Sequence, residues 1–416
     1  MEKLTDPIDV ETIKKDFPLL ARDRDEAEHR IVFLDSAASS QHPQSVLDAM
    51  DTYYETTHAN VHRGIYPIAE EATREYEAAR VALGQFIGAQ DPQREIVFTK
   101  NATEAVNLVS NAWGRTNLRA GDVVVLSAIE HHANIVPWLM LKEAIGIELR
   151  YLPMREDFYL DLDRLDEYVS GAKLVGITAT SNVLGTVVDL ESVVKAAHAA
   201  GALVLVDAAQ YVPHRKLDVA GLGIDFAALT SHKMVGPTGV GALWGRADLL
   251  DAMPPFLGGG DMINEVRFDG FTPNELPWKF EAGTPPIAEV VGLAAAIDYL
   301  SLIGLDRIHA HENLLTAYAI ERLRASDDIR IFGPEPDPHW RAGVVSFQLE
   351  GVHPHDVSQV LAEKNVCVRA GHHCAKPLMS VLGVPAVTRA SLYLYNDESD
   401  VDALIAGLDD VRAMFK

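Results

Sequence analysis

Thr230-Ser231-His232-Lys233-Met234-Val235-Gly236 stands between two mostly apolar runs, Ile224 to Leu229 and Gly239 to Trp244. Each run has the length and content of a buried strand, so the lysine falls at a strand end, between a histidine and a glycine-bearing turn. A lysine so placed can hold an aldehyde cofactor through its amine. Upstream, Ala202-Leu203-Val204-Leu205-Val206-Asp207 is another apolar strand, ending in a carboxylate. Pyridoxal 5′-phosphate requires such a pair. The carboxylate keeps the pyridinium nitrogen protonated so that the ring accepts electrons, and the lysine carries the aldehyde carbon. Taken singly, a surface lysine and a helix-capping aspartate are the plainer readings. The pair on consecutive strand ends favours the cofactor.

Working outward, Arg94 to Thr99, Asp122 to Leu126 and Leu174 to Thr180 read as further strands. Strands alternate with helices from about residue 95 to 245, which predicts an α/β fold with a mainly parallel sheet and crossover helices. Polar residues gather where these strands end, the place where open α/β sheets bind ligands. Asn101-Ala102-Thr103-Glu104 opens a helix after one strand, and the free N–H groups there suit an anion, with Thr103 as the phosphate contact. A simple helix cap is compatible with this. Glu130-His131-His132-Ala133-Asn134 follows the next strand, and a histidine just past a strand end can stack on a flat ring. Ile31 to Asp35 is a short strand followed by Ser36-Ala37-Ala38, small residues that let backbone approach a ligand.

Residues 1–30 form a polar arm with one apolar patch around Ile13, Phe17 and Leu19-Leu20. A large domain spans 31–286 and closes in a Gly- and Pro-rich loop from Gly258. Amphipathic helices from Ile287, strands at Val344 to Leu349 and Val366 to Arg369, and a last helix from about Glu398 make a smaller α+β domain, 287–416.

Cys374 follows two histidines in a Gly-led loop. A thiol acts as thiolate, and the free group has a pKa of roughly 8.5, so positive neighbours help. His372, His373 and Cys374 also suggest a metal, but adjacent residues rarely converge on one ion and no Cys-x-x-Cys accompanies them, so none is expected. Cys367 alternates in register with Arg369 and reads as packing. Arg389, entering an apolar strand, needs an anion; a guanidinium fork suits a substrate carboxylate better than an internal salt bridge there.

With these residues on the page, the chain resembles the class V aminotransferases among fold-type I pyridoxal phosphate enzymes. The marks are Ser-His-Lys233 and Asp207-Ala-Ala-Gln210. Arg369-Ala-Gly-His-His-Cys374-Ala narrows the resemblance to SufS-type (group II) cysteine desulfurases, and it runs from Phe33 to Ser391. It implies a sheet of the seven-stranded type with helices on both faces. It implies cofactor contacts from Thr103, Glu104, His131 (stacked on the ring), Asn182, Asp207, Gln210, Thr230, His232, Lys233 and Thr284. Substrate contacts would come from Ala37, His62, Arg63, Asn182, Arg369 and Arg389, with Lys233, Cys374 and His131 catalytic. Thr284, His62 and Arg63 would act across a homodimer interface. L-cysteine would become L-alanine and a Cys374 persulfide, passed to a SufE- or SufU-like acceptor or a SufBCD scaffold for iron–sulfur assembly. A selenocysteine lyase is the alternative. Thr180, Ser231 and Ala208 stand where the family often has valine, glycine and glycine, and none removes a chemical group.

The 416 residues, 48% hydrophobic and 23% charged, are those of a soluble globular chain. No stretch reads as a leader or a membrane span, so a cytoplasmic protein is expected. Two cysteines argue against a disulfide framework. The net charge of −24 disfavours nucleic acid. It fits either a salt-adapted surface or an ordinary acidic enzyme.

Overall fold

The computed structural model describes residues 8–22 and 30–415. The chain enters with β1 (Val32–Phe33). It then forms seven strands: β2 (Ile96–Thr99), β3 (Val123–Ser127), β4 (Glu148–Leu152), β5 (Ala172–Thr178), β6 (Leu203–Asp207), β7 (Phe226–Thr230) and β8 (Gly241–Gly245). These make one sheet in the order β2-β8-β7-β6-β5-β3-β4. Every pairing from β7 to β4 is parallel, and β8 alone runs against its neighbours. Strands such as β3 (VVVLS) and β7 (FAALT) are buried throughout because helices cover both faces. Alternation divides the side chains between two cores. Val124, Leu126, Leu174 and Leu205 enter one, and Val125, Val175, Val204 and Val206 the other. The parallel strands therefore deliver their carboxyl ends to one edge of the sheet.

The helices begin where local chemistry favours it. Asn101 accepts from Glu104 N at 3.0 Å to cap Ala102–Leu108. That helix loosens into a π turn over Val109–Gly114. Pro67 opens the long helix Pro67–Phe86, where its missing N–H costs nothing. Ile287–Ile303 packs against this helix and against Gln44–Thr52.

Within the Gly- and Pro-rich loop lies an antiparallel hairpin, β9 (Ile263–Arg267) and β10 (Gly270–Pro273). A four-stranded antiparallel sheet follows from β11 (Ile329–Phe332), β12 (Val344–Leu349), β14 (Arg369–Gly371) and β15 (Val387–Ser391), in the order β11-β12-β15-β14. The run expected as one strand from Val366 to Arg369 is broken at Val368. Its first part, β13 (Val366–Cys367), pairs in parallel with β1, and β14 pairs with β15. Two partners on different sides pull the run apart, so strand alternation does not relate Cys367 to Arg369. Asp35 bridges to Ser391, which closes the start of the chain onto its last strand.

Of the arm, residues 1–7 and 23–29 lie outside the described part. The helix Val10–Asp16 is tied down by Lys14, which pairs with Asp397 and Asp400, and Phe17 packs edge-on against Tyr395 and Tyr299. Among the described residues no single helix is long and apolar enough to cross a membrane.

Candidate active site

A cavity of about 190 Å³ opens at the carboxyl edge of the parallel strands. Asp207, the last residue of β6, forms part of its wall and is 5% exposed. Burial raises its carboxyl above the usual range, against the pull of Ala209 N (3.1 Å to Oδ1) and of Lys233. Lys233 ends the single 3₁₀ turn Ser231–Lys233 that follows β7. Desolvation brings its amine down to about 8; Asp207 and Cys374 oppose this, and Arg389 and Arg369 add to it. An amine near 8 gives up its proton at physiological pH far more readily than an ordinary lysine.

His131 comes from the turn after β3. Its Nδ1 accepts from Ala133 N at 3.1 Å, and burial, then Lys233, lowers its pKa to about 3. The ring is therefore neutral with its hydrogen on Nε2. Beneath it Glu130 is fully buried. It accepts from Thr178 N (2.8 Å), Asn134 Nδ2 (2.9 Å) and Ser127 Oγ (2.5 Å). Burial pushes it up to about 8, against the pull of Ser127, Asn134 and Thr178, and its bonds fasten the turn to β5.

Arg389, 1% exposed, settles the question of its anion in two parts. Nη2 donates to Asp35 at 2.9 Å and Nη1 to Asn182 O at 2.9 Å. The internal ion pair that the sequence disfavoured is therefore present, supplied by the β1 end that lies beside β15. Nε, however, is buried with no partner among the described residues. Thr180 Oγ1, Thr230 Oγ1 and His373 Nδ1 are also buried and unpaired, and all four residues line the cavity. Buried polar atoms rarely stay unpaired, so a polar ligand belongs here. With Lys233, Arg369 and Arg389 in the wall, that ligand is anionic. The donor set fits pyridoxal 5′-phosphate and a substrate carboxylate.

Cys374 reaches the wall on a tight loop, where His373 (φ 49°) and Cys374 (φ 56°) both take the left-handed conformation. Non-glycine residues adopt it only when surroundings enforce it. Asn182 Nδ2 donates to His373 O at 2.8 Å. Cys374 N donates to His372 Nδ1 at 3.1 Å. Cys367 does not line the cavity; it is half-buried, and burial raises its thiol.

Ala37, Thr103, Asn182, Gln210, Thr230, His232 and Arg369 line the same cavity. Gln210 Nε2 donates to Ala37 O at 2.7 Å, which fixes the small-residue segment. His232, lowered to about 4 by burial, faces Ser39. Four expected residues stand elsewhere within the chain. Glu104 turns back onto Lys100 N, the bond open to an acid in a capped first turn. Thr284 and Glu104 line a second cavity of about 480 Å³, with Tyr53, Tyr54 and Phe256. His62 meets Glu77 at 2.8 Å, and Arg63 pairs with Asp261 at 2.9 Å. Sequence reasoning assigned no role to Thr180 or His373. Neither carries a local signal, because each is left with an unpaired buried polar atom only once the two sheets meet.

Comparison with known proteins agrees with this chemistry. Residues 32–404 match the Aminotransferase class-V family. The chain is 49% identical over 421 residues to a probable cysteine desulfurase of Streptomyces coelicolor, covering 100% of both. It is 46% identical to a cysteine desulfurase of Haloferax volcanii, covering 98% of each. Among solved structures it superposes on the cysteine desulfurase CsdA of Escherichia coli with a TM-score of 0.90 at 38% identity, covering 98% of this chain and 100% of that one. The apo cysteine desulfurase of Thermococcus onnurineus gives 0.91 at 38% identity, covering 96% and 97%.

Proposed function

The chain belongs to the aminotransferase class-V family and is a pyridoxal 5′-phosphate-dependent cysteine desulfurase of fold type I, and from that premise we propose that it turns L-cysteine into L-alanine, holds the sulfur on Cys374 as a persulfide and supplies it to iron–sulfur cluster assembly in the manner of SufS-type enzymes. One observation carries the reading: Lys233, Asp207, Arg389 and Cys374, from four separate stretches of sequence, line one small cavity.

Lys233, Asp207, Thr230, His232, Gln210, Asn182 and Thr103 would hold the cofactor, with His131 against its ring. When bound, the cofactor supplies an electron sink for charge developing at the substrate α-carbon. Arg389 Nε, without a partner among the described residues, donates to the substrate carboxylate, and Arg369 adds positive charge beside it. Lys233 takes the α-proton and returns a proton to the product, a task suited to an amine near 8. Neutral His131 can pass a hydrogen through Nε2. Cys374 attacks the substrate sulfur. A sulfur–sulfur bond forms, the substrate carbon–sulfur bond breaks, and carbon gains hydrogen in its place. L-cysteine plus thiol thus balances L-alanine plus persulfide.

The proposal includes a homodimer in a cytoplasmic setting, with a SufE- or SufU-like acceptor or a SufBCD scaffold taking the sulfur. Exposed Tyr54, Ile65, Tyr66, Leu257, Phe268 and Phe271 support a covered face. Thr284, His62 and Arg63 would serve the neighbouring subunit's site. We keep 31–286 and 287–416 as the two domains, with β1 crossing to the smaller one.

The test is an absorption spectrum of the purified protein before and after adding L-cysteine, with alanine assay and mass spectrometry of Cys374. A band that shifts with cysteine, alanine release and a single added sulfur on Cys374 are expected. A cofactor band that ignores cysteine, without alanine, would overturn the activity. Faster turnover on selenocysteine with no persulfide from cysteine would favour the lyase.

A further inference from the structure

His132 plays no part in the chemistry above, yet it holds the Cys374 loop at two points. Its backbone N–H donates to Cys374 O at 2.7 Å. Its imidazole Nε2 accepts from Lys376 N at 3.0 Å. The two bonds fall on either side of Ala375 and close around the stretch that carries the left-handed residues His373 and Cys374. On the other flank, Asn182 Nδ2 holds His373 O, and His373 Nε2 lies 3.2 Å from Val387 O. Within the loop, Ala375 N and Cys374 N both bond to His372, which shapes the turn without attaching it to the rest of the fold. The hydrogen bonds that attach the loop on the downstream side come from His132, where Ala375, Leu378 and Met379 pack into the core.

Nε2 can accept only when it carries no hydrogen. Burial, with His372 and Lys376 close by, holds the imidazole below its ordinary pKa, and the N–H of Lys376 directed at Nε2 sets that nitrogen as the acceptor. His132 begins the 3₁₀ turn His132–Asn134, and its neighbour His131 forms the cavity wall. One turn, fastened by Glu130 to β5, therefore carries the wall on one residue and grips the nucleophile's loop with the next.

We propose that His132 is a positioning residue for Cys374: by gripping Cys374 O and Lys376 N it holds the strained loop so that the thiol stays registered to the cavity wall built by His131. This rests on the desulfurase reading and adds to it the residue that sets the thiol's place.

The test compares wild type, His132→Asn and His132→Gln as cofactor-loaded enzymes. Gln can place an acceptor oxygen where Nε2 stood, whereas Asn is too short; both keep the backbone bond and a polar side chain at a half-buried site. Two readouts are taken: hydrogen exchange of the peptide spanning His372 to Lys376, and the rate of persulfide formation on Cys374. In His132→Asn, exchange should rise and the persulfide rate fall about tenfold, with the cofactor band unchanged; His132→Gln should recover most of both. Faster exchange with an undiminished rate, or a lower rate with unchanged exchange, overturns the positioning role. So does His132→Asn matching wild type in both. Wild-type enzyme that forms no persulfide on Cys374 instead sinks the desulfurase reading, and with it the purpose given to the grip.

Discussion

Lys233 sits in the folded protein as a base that would rather be neutral. Its amine is near 8, against 10.5 for the free group. Between those values the unfolded chain binds more protons than the native one, so stability rises with pH across that window. Below 8 both states are protonated and the native state bears the full penalty. Cofactor-free Lys233→Met should therefore melt above cofactor-free wild type at pH 7, and the gap should close as pH climbs from 8 towards 10.5. Calorimetry at several pH values decides it, and a gap independent of pH would disprove the account. The same variant should release no alanine from cysteine. Arg389 offers a second check. Lysine cannot reproduce a fork held by Asp35 and Asn182 O with Nε left over. Arg389→Lys should lose about 1.5–3 kcal/mol of transition-state binding, on the order of 10- to 100-fold in kcat/KM. Wild-type kinetics would refute that. Lys233 and Arg389 were legible because each is a charged group set beside or within an apolar run, which the order of residues displays. Asp35 as partner of Arg389 was not, since 354 positions separate them.

At the scale of elements, the loop His372–Lys376 decides which thiol reaches the cavity. Cys374 faces the cavity from a strained turn, whereas Cys367 belongs to β13 and does not reach it. Cys374→Ala should bind cofactor and lose persulfide formation while keeping part of any selenocysteine cleavage, because selenium leaves more readily. Cys367→Ala should match wild type. Sulfur found on Cys367 by mass spectrometry, or full cysteine turnover without Cys374, would reverse the assignment. The parallel core strands were readable because burial on both faces makes them continuous apolar runs. The hairpin β9–β10 was missed inside a loop rich in Gly and Pro; its turn is Phe268-Asp269, and Gly270 already pairs with Arg267 as the first residue of β10. The break at Val368 could not be read, because it arises from β1 and β15 competing for one run.

For the whole molecule, the second cavity carries Thr284 on a face with exposed apolar side chains, while His62 and Arg63 also stand away from their own chain's site. If sites are shared, mixing inactive Lys233→Ala with inactive Thr284→Ala under exchange conditions should restore part of the activity, because hybrid dimers contain one site with neither lesion. Full activity in a species that sediments as a monomer would exclude sharing. The pairing of β1 with β13, and of Asp35 with Ser391, has a temporal meaning as well. At translation rates of roughly 5–20 residues per second, the ribosome needs on the order of 20–70 s after making the first partner before it makes the second. During that interval the nascent chain gains Asp207 and then Lys233, but has neither Arg389 nor the strand that closes over Ala37. A polypeptide still on the ribosome can fold its parallel sheet without a complete cavity wall, so synthesis of β15, rather than folding of the sheet, sets when the cavity can first be closed.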